Sequence, residues 1–454
     1  MSILERPVAT TGALDTDALA RLREAFSRNP ANRIAQNAVT QITVDDVALN
    51  REVVNRVDHT FSHVLDDWSV TNQKQTGRCW MFAGLNLFRV GAMKKMGVKA
   101  FEFSQAYTLF WDKLERSNYV LEAVIDSADR PLDDRTVAWL LERPLEDGGQ
   151  WNMFVNLVGK HGLVPKAAMP ETESSSNTRR LNNMLYYKLR EGARTLRDMH
   201  AAGARSDELQ AAKSGMVETI YRILCIHLGA PPATVQWQWK DDDGAFHRDD
   251  EMTPQEFAAK YVELPLDEYV CLVHDPRPTS PFGRTFTVEN LGNVVGGKIV
   301  TYLNVDMDLM KRIARQTIVD GEPVWFGCDV GKMMRRDLGI WDANMFEYGA
   351  IYDTEFTLDK AERLLYHETL MTHAMLFTGV DVVDGAARRW RVENSWGEEN
   401  NGQKGYFVMN DNWFAEYTFE IAARRQYLPS ELQAARELDP IVLPAWDPMG
   451  ALAR

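Results

Sequence analysis

The amino-acid sequence predicts an α+β fold in which helices dominate the first half and β-strands dominate the last third. Apolar residues recur with helical spacing in residues 79–97 and again in residues 104–125. Short apolar runs at 372–383, 388–396 and 404–410 have the composition of strands. A chain of 454 residues exceeds what one hydrophobic core usually organises, so we expect two or three substructures or one fold with a large insertion.

The composition is that of a globular protein, since 45% of the residues are hydrophobic, 26% are charged and 13 are tryptophans. The formal net charge is −14, whereas a nucleic-acid surface needs a concentrated positive field. No stretch approaches the roughly 20 apolar residues of a membrane span, and the N-terminus lacks the apolar core of a signal peptide. The sequence therefore predicts a cytoplasmic protein with neither nucleic acid nor membrane as a partner.

Four cysteines, Cys79, Cys225, Cys271 and Cys328, lie far apart in the sequence and form no CxxC pair. This pattern fits reduced thiols better than a disulfide framework or a zinc site. A single buried cysteine is by default a small hydrophobic residue, and we interpret Cys225, Cys271 and Cys328 in this way. Cys79 has to be judged by its surroundings.

Cys79 lies at the predicted start of the first long helix. Thr76 and Gly77 precede residues 79–97 as start signals, and the segment ends in Lys and Gly. The second helical pattern, 104–125, follows closely. The cysteine is therefore expected in the first turn of a helix.

The middle of the chain has a different composition. After a loop containing Gly148 and Gly149, residues 164–178 have the composition of a linker, and residues 234–250 predict a hairpin around an acidic turn. A long helix is predicted from the apolar spacing of Leu181, Met184, Leu185, Leu189, Ala193, Leu196 and Met199. Strands are predicted at 269–275, 297–305 and 323–330. No catalytic motif is found between roughly 155 and 340.

The last third predicts a hairpin that brings three side chains together. If Asp384 and Gly385 form a two-residue turn, Val383 faces Ala386, and the register places His373 opposite Trp396. Asn394 is then a diagonal neighbour of His373 on the same face, because 394 and 396 have the same parity. The final segment, 437–454, contains three prolines that forbid a helix, but its apolar content is unlike that of a solvated tail.

These positions suggest a nucleophilic thiol. A helix N-terminus and a nearby imidazolium lower the pKa of a thiol from about 8.5 toward about 4 to 7. Among the nine histidines, His373 is the best candidate base, because Asn394 can orient its ring and Trp396 can shield that contact from water. Gln73, six residues before Cys79, and the Cys79 backbone N–H can donate to an oxyanion.

Gln-x5-Cys-Trp followed by His and by Asn-Ser-Trp-Gly resembles the papain-like cysteine peptidases. The resemblance implies that Gln73 is the oxyanion donor, Cys79 the nucleophile, His373 the general base and Asn394 its orienting partner. Two departures, TGRCW before the nucleophile and 294 residues between Cys79 and His373, resemble the bleomycin hydrolase and aminopeptidase C branch. Further similar stretches are SQAYTLFWDKLERSNYVLE, DGGQWNM, PVWFGCDVGK, ENSWG and LPAWDPMGALAR.

The resemblance implies a papain-like fold with a helical half, a β-barrel-like half, a large helical insertion and a C-terminal arm in the cleft. It divides the chain into an N-terminal arm (1–50), a helical half with the nucleophile (51–155), an inserted helical and oligomerisation region (156–340), a β half with His and Asn (341–430) and a C-terminal arm (431–454). It also implies a homohexamer that acts on peptides with a free N-terminus, with no metal or cofactor.

The same resemblance assigns substrate contacts. Gly148 and Gly149 are expected to bind the substrate backbone, and Trp396 is expected to be a further substrate-binding residue. The end of the arm is expected to meet the free ammonium of the substrate, through the carboxylate of Arg454 or, after trimming of that residue, of Ala453. A proline-rich arm is stiff and loses little entropy on docking.

Other interpretations remain open at this point. The two glycines could simply form a turn, and Trp396 could be ordinary core packing. His367 and His373 lack the spacing of a helical zinc motif, so zinc is not expected. Another Cys-His acyl transferase or amidase would share the same thioester chemistry, and a catalytically silent, cage-like chaperone scaffold is a third possibility.

Overall fold

The structure of the protein is a computed structural model that describes residues 12–65 and 68–453. The residues form two compact units, one containing the described residues up to Val57 with Asn344–Thr357, and the other containing the described remainder. The α-helices are α1 (Thr16–Arg28), α2 (Pro30–Val39), α3 (Val44–Ala48), α4 (Arg51–Arg56), α5 (Cys79–Met96), α6 (Gln105–Asp126), α7 (Arg135–Glu142), α8 (Trp151–His161), α9 (Glu173–Ser176), α10 (Arg179–Ala201), α11 (Ser206–Leu228), α12 (Pro254–Tyr261), α13 (Met307–Val319), α14 (Tyr348–Tyr352), α15 (Lys360–Leu365), α16 (Asp411–Tyr417) and α17 (Ser430–Ala435).

The β-strands are β1 (His63–Val64), β2 (Gln238–Lys240), β3 (Phe246–Arg248), β4 (Tyr269–Val273), β5 (Thr285–Val288), β6 (Tyr302–Asn304), β7 (Val324–Cys328), β8 (Met334–Arg335), β9 (Ile340–Trp341), β10 (His373–Val383), β11 (Ala386–Glu393), β12 (Tyr406–Asn410), β13 (Thr418–Arg424) and β14 (Ile441–Leu443). All except β2 and β3 belong to one mixed sheet, in the order β14-β5-β6-β4-β13-β7-β10-β11-β12-β9-β8, and β1 pairs with β10.

The two predicted N-terminal helices are confirmed. Helix α5 begins at Cys79 and ends before Gly97, whose φ of 66° is the left-handed conformation that closes helices. Helix α6 begins after Ser104, whose hydroxyl accepts a hydrogen bond from the Tyr107 N–H. The nucleophile candidate is therefore the first residue of a buried helix.

The sheet separates two apolar cores. In β10, Leu376 belongs to the core that also contains side chains of α5, α6, α8, α10 and α11, whereas its neighbours Met375 and Phe377 belong to the core beneath α13 and α16. This alternation follows from the period of two along a strand. Both faces of the centre of the sheet are thus covered, which explains why β7 and β10 are almost continuously apolar.

The β10–β11 hairpin has the predicted register at both ends, but its middle is shifted by one residue. Asp384 and Gly385 form the predicted turn, with φ values of 50° and 80°. Two irregularities interrupt the ladder, one between Asp381 and Val382 and one between Phe377 and Gly379. They offset each other, and Leu376 again pairs with Glu393 as the predicted register requires.

The interpretation of residues 164–178 as a linker is wrong, because α9 carries a capping box and Ser175 is fully buried. The strand predicted at 323–330 is confirmed as β7, which pairs with β10 in the common sheet. The division of the chain into an insertion at 156–340 and a β half at 341–430 stays a prediction.

The predicted N-terminal arm is a helical unit. Helices α1 to α4 follow one another from Thr16 onward, each with a side-chain cap, from Asp15, Asn29, Thr43 and Asn50. Within this unit Leu49 forms a bridge with Phe346, and the Asn50 N–H donates to the Met345 carbonyl at 2.9 Å. In the described part of the chain, no helix is long and apolar enough to cross a membrane.

A buried carboxylate joins α5 to the sheet. Glu393, at the end of β11, accepts hydrogen bonds from Arg89 Nη2 at 2.6 Å and from Asn86 Nδ2 at 2.9 Å, both on α5. The Trp68 indole N–H donates to its other oxygen at 2.5 Å. Burial raises the pKa of this carboxyl, and the Arg89 guanidinium opposes that shift. Because Glu393 precedes Asn394, this contact fixes one part of the candidate site relative to the helix that begins at Cys79.

We expect Glu393→Gln to destabilise the protein by about 3–5 kcal/mol, because removing one partner leaves the Arg89 cation buried without its counter-charge. Urea unfolding followed by tryptophan fluorescence measures the change. The matched control is Glu52→Gln, which breaks the exposed pair with Arg56 and should leave the midpoint almost unchanged. Equal midpoints for the two variants would contradict a supporting role for Glu393.

Candidate active site

Cys79 lies where helix α5 meets the start of strand β10. Its side chain is fully buried, and Sγ accepts a hydrogen bond from the Ala374 N–H at 3.4 Å. Ala374 follows His373, so the structure brings the predicted nucleophile to the residue next to the predicted base, across 294 positions of sequence. The Arg78 side chain does not cap this helix, which leaves the positive end of the helix dipole at the thiol.

The surroundings of the thiol differ from the sequence-based expectation. Burial raises the pKa of Cys79 to about 12, while the N–H groups of Ala374, Trp80 and Cys79 itself act in the opposite direction. The helix terminus and an imidazolium lower the pKa of a thiol, but desolvation raises it, and burial cannot be read from the sequence. In this closed arrangement the thiol is therefore protonated at neutral pH unless a cation pairs with the thiolate.

His373 and Asn394 are hydrogen-bonded, with 2.9 Å between Nε2 and Oδ1. The Ser395 N–H also donates to Asn394 Oδ1, at 2.7 Å, which identifies that atom as the acceptor. The His373 Nε2 must then carry the proton, and Nδ1 is the nitrogen that can accept one. The ring of Trp396 lies 5.0 Å from the imidazole ring, between centroids, at an angle of 36°.

Gln73 lies beside Ser395, shortly after the end of β11. Its backbone N–H donates to the Ser395 carbonyl at 2.8 Å, and its side-chain oxygen accepts from the Ser395 hydroxyl at 2.7 Å. This second bond orients the amide so that Nε2 faces the nucleophile loop, the residues 76–78 that precede Cys79, where it donates to the Thr76 carbonyl at 2.5 Å. An amide nitrogen has two protons, so one remains for a second acceptor.

The C-terminal arm contacts the loop that was predicted to bind the substrate backbone. Gly149 forms an antiparallel bridge with Ala453, and its N–H donates to the Ala453 carbonyl at 3.1 Å. The Gln150 side chain donates to the Ala451 carbonyl at 2.6 Å. Gly148 is buried beside this bridge and Ala453 is fully buried. Arg454, the other predicted substrate contact on the arm, lies outside the described residues.

A carboxylate that the sequence analysis missed links the nucleophile loop to this glycine pair. Asp147 accepts hydrogen bonds from the Gly77 N–H at 3.2 Å, from Lys113 Nζ at 2.7 Å, and from the Thr178 hydroxyl. Burial alone would raise the pKa of Asp147, but the Lys113 ammonium and these hydrogen bonds hold it well below its usual value. Its backbone carbonyl accepts from the Trp80 indole N–H at 2.7 Å.

Arg78 is a second residue that the analysis did not assign. Its guanidinium is fully buried and forms two hydrogen bonds with Glu171, at 2.9 and 2.8 Å, while its Nε donates to the Thr76 hydroxyl. Glu171 lies in the stretch predicted to be a linker. The only signal in the sequence was a charged residue directly before Cys79. Its partner Glu171 lies 93 residues away, and spacing cannot identify such a pair.

A buried cysteine at a helix start, beside a strand that begins with an asparagine-bound histidine, defines a papain-like cysteine peptidase. The model of the Peptidase C1-like family matches residues 13–450, and the chain belongs to this family. The predicted α+β papain-like fold is confirmed.

Similar proteins cover nearly the whole chain. The bleomycin hydrolase of Homo sapiens is 43% identical over 98% of this chain and 100% of its own length. The aminopeptidase C of Streptococcus thermophilus is 44% identical, covering 97% of this chain and 99% of the relative. The crystal structure of PepW from Lactobacillus rhamnosis HN001 is 46% identical, with a TM-score of 0.96 and coverage of 98% and 100%. The predicted branch and the predicted enzyme class, a cysteine-type aminopeptidase, are confirmed.

We expect Gly149→Ala to lower peptidase turnover at least about tenfold, because a Cβ at this position lies 2.4 Å from the Trp80 ring and displaces either the indole or the backbone that pairs with Ala453. The overpacking should also cost about 1–3 kcal/mol of stability. Turnover of an aminoacyl reporter and thermal unfolding measure the two effects. Gly91→Ala, on α5 with open space around the new Cβ, is the matched control and should retain full turnover.

Proposed function

We propose that this enzyme releases N-terminal residues from peptides through a thioester formed on Cys79. The observation that carries the proposal is the contact between Cys79 Sγ and the first peptide group of β10, whose His373 is already bound to Asn394. Such a thiol–imidazole–amide arrangement is a nucleophile, its base and the group that orients the base.

The reaction has two stages. His373 Nδ1 takes the thiol proton, the Cys79 thiolate attacks the peptide carbonyl carbon, and the C–N bond breaks as the imidazolium gives its proton to the leaving amine. Water then attacks the thioester carbonyl, with His373 accepting a proton from the water. The C–S bond breaks, the amino acid leaves as a carboxylate, and Cys79 is regenerated.

Because burial raises the pKa of the Cys79 thiol, formation of the thiolate depends on the His373 imidazolium. A thiolate costs free energy in this site because it is desolvated, and a cation at contact distance offsets that cost. The carbonyl oxygen that becomes negative in each stage is stabilised by the free amide proton of Gln73 and by the Cys79 backbone N–H, each contributing about 3–4 kcal/mol in the transition state. The Ser395 hydroxyl keeps the Gln73 amide in the required orientation.

The arm accounts for selection of a free N-terminus. The backbone of Ala453 pairs with Gly149 as a bound peptide chain would, and so occupies the place of residues on the amino side of the scissile bond. Trimming of Arg454 would place the terminal carboxylate on Ala453, within reach of the substrate ammonium. Intact mass of the active protein tests this step, and an untouched Arg454 would contradict it.

Location and assembly complete the proposal. We place the enzyme in the cytoplasm, and the four cysteines of the structure, all unpaired, are compatible with a reducing compartment. We propose a homohexamer on the resemblance to the bleomycin hydrolase branch, with the inserted region 156–340 contributing to the subunit contacts. Light scattering coupled to size-exclusion chromatography measures the number of subunits, and a monomer would contradict this part of the proposal.

Removal of residues 451–454 should convert the enzyme toward cleavage of N-blocked peptides. The truncation removes the backbone that pairs with Gly149 and the Gln150 contact to Ala451, so longer peptides can occupy the cleft. Turnover of an aminoacyl reporter and of an N-blocked peptide is compared for the full-length and truncated proteins. An unchanged preference for the free amine would contradict the role of the arm, and inactivity of the full-length protein toward both reporters would contradict the peptidase mechanism itself.

Iodoacetamide labelling should reveal the thiolate–imidazolium pair. In His373→Ala no imidazolium opposes desolvation, which raises the pKa of the Cys79 thiol, so labelling of Cys79 should be slow at pH 7 and rise about tenfold per pH unit through the alkaline range. In the unmodified enzyme we expect fast labelling at pH 6–7. Peptide-level mass spectrometry measures both, with Cys225 as the internal reference. Identical pH profiles in the two proteins would contradict the ion pair.

A further inference from the structure

A buried arginine outside the reacting centre holds the base of the C-terminal arm. Arg277, in the loop after β4, forms two hydrogen bonds with Asp447, from Nη1 to Oδ2 at 3.1 Å and from Nη2 to Oδ1 at 2.9 Å. The same guanidinium bonds Asp275 through Nε at 2.9 Å and through Nη2 at 2.8 Å. The Arg277 and Asp275 side chains are 7% and 4% exposed, and that of Asp447 is 9% exposed.

The loop that carries Arg277 is itself fixed to the sheet. The Asp275 N–H donates to Asn304 Oδ1 at 2.9 Å, and the Asn304 side chain donates to the Asp275 and Ser280 carbonyls at 2.9 and 2.8 Å. Asn304 is the last residue of β6 and is fully buried. The guanidinium is therefore fixed to the sheet through Asp275, and it holds the arm through Asp447.

Asp447 precedes the last turn of the arm, which leads to the pairing of Ala453 with Gly149. Its side chain accepts from the Met449 N–H at 2.9 Å and so caps the single 3₁₀ turn Pro448–Gly450, after which only three described residues remain. A chain spans at most about 3.3–3.6 Å per residue, so fixing Asp447 limits where Ala453 can lie. Two other contacts of the arm are less extensive than that of Asp447. Trp446 contacts Arg135, which is exposed, and β14 is only three residues long.

We propose that Arg277 is a positioning residue that sets the reach of the arm and, through it, the rejection of peptides extended on the amino side of the scissile bond. The inference rests on the proposed role of the arm and adds the contact that enforces it. Without the guanidinium, the carboxylates of Asp275 and Asp447 face each other without a cation, and their repulsion favours withdrawal of the arm.

The test compares Arg277→Met with a matched control. Arg205→Met removes an arginine that forms a similar two-point contact with an aspartate, Asp207, on the exposed surface. In Arg277→Met we expect the ratio of N-blocked to free-amine turnover to rise at least tenfold, and Arg277→Lys, which keeps the charge but loses the two-point contact, should give a smaller rise. The Arg205→Met control should keep the ratio of the unmodified enzyme.

A second measurement does not depend on turnover. A withdrawn arm is accessible to carboxypeptidase, so intact mass after a timed digestion should show faster loss of C-terminal residues in Arg277→Met than in Arg205→Met. If Arg277→Met does not fold, Asp447→Asn and Asp447→Ala remove the other partner and carry the same two readouts. An unchanged turnover ratio and unchanged digestion in the folded variants would overturn the inference. The proposed function would still stand if the 451–454 truncation changes the preference.

Discussion

The site depends on a buried carboxylate that holds two structural elements together. Glu393 ends the strand that leads into Asn394, and it is hydrogen-bonded to Asn86 and Arg89 on the helix that begins at Cys79. Cys79 and His373 are far apart in the sequence. Their side chains can lie close together only if α5 is fixed against the β10–β11 hairpin. The charge of Arg89 and the burial of Glu393 make the connection strong and also intolerant of losing one partner.

The same burial that fixes the geometry opposes the chemistry. A fully buried thiol is poorly ionised, and the pKa of Cys79 is raised accordingly. The structure compensates with donors rather than with solvent: the helix N-terminus, the Ala374 N–H and an imidazole oriented by Asn394. In the proposed mechanism, reactivity arises from preorganised dipoles and charges in a buried site, where each is worth more than it would be in water.

The positions of the candidate site residues could be predicted from the sequence better than those of the charged residues that support them. The register of the β10–β11 hairpin could be extrapolated from the Asp384–Gly385 turn, although two irregularities occur and offset each other. Helix α5 could be placed because both of its ends carry ordinary signals. The supporting charges could not be found, since Asp147 and Glu171 act on the nucleophile loop across 70 and 93 residues, and spacing says nothing about such pairs. Strand β7 could be predicted from its apolar run, but its pairing with β10 could not, because pairing partners are not encoded in local composition.

The supports of the nucleophile loop are all non-covalent. Arg78 and Asp147 secure Thr76 and Gly77 by ion pairs and hydrogen bonds, and the cysteines of the structure are unpaired. A peptidase built in this way needs no oxidative maturation step for its loop. Reducing conditions that protect the Cys79 thiol from oxidation therefore leave the loop that positions it intact.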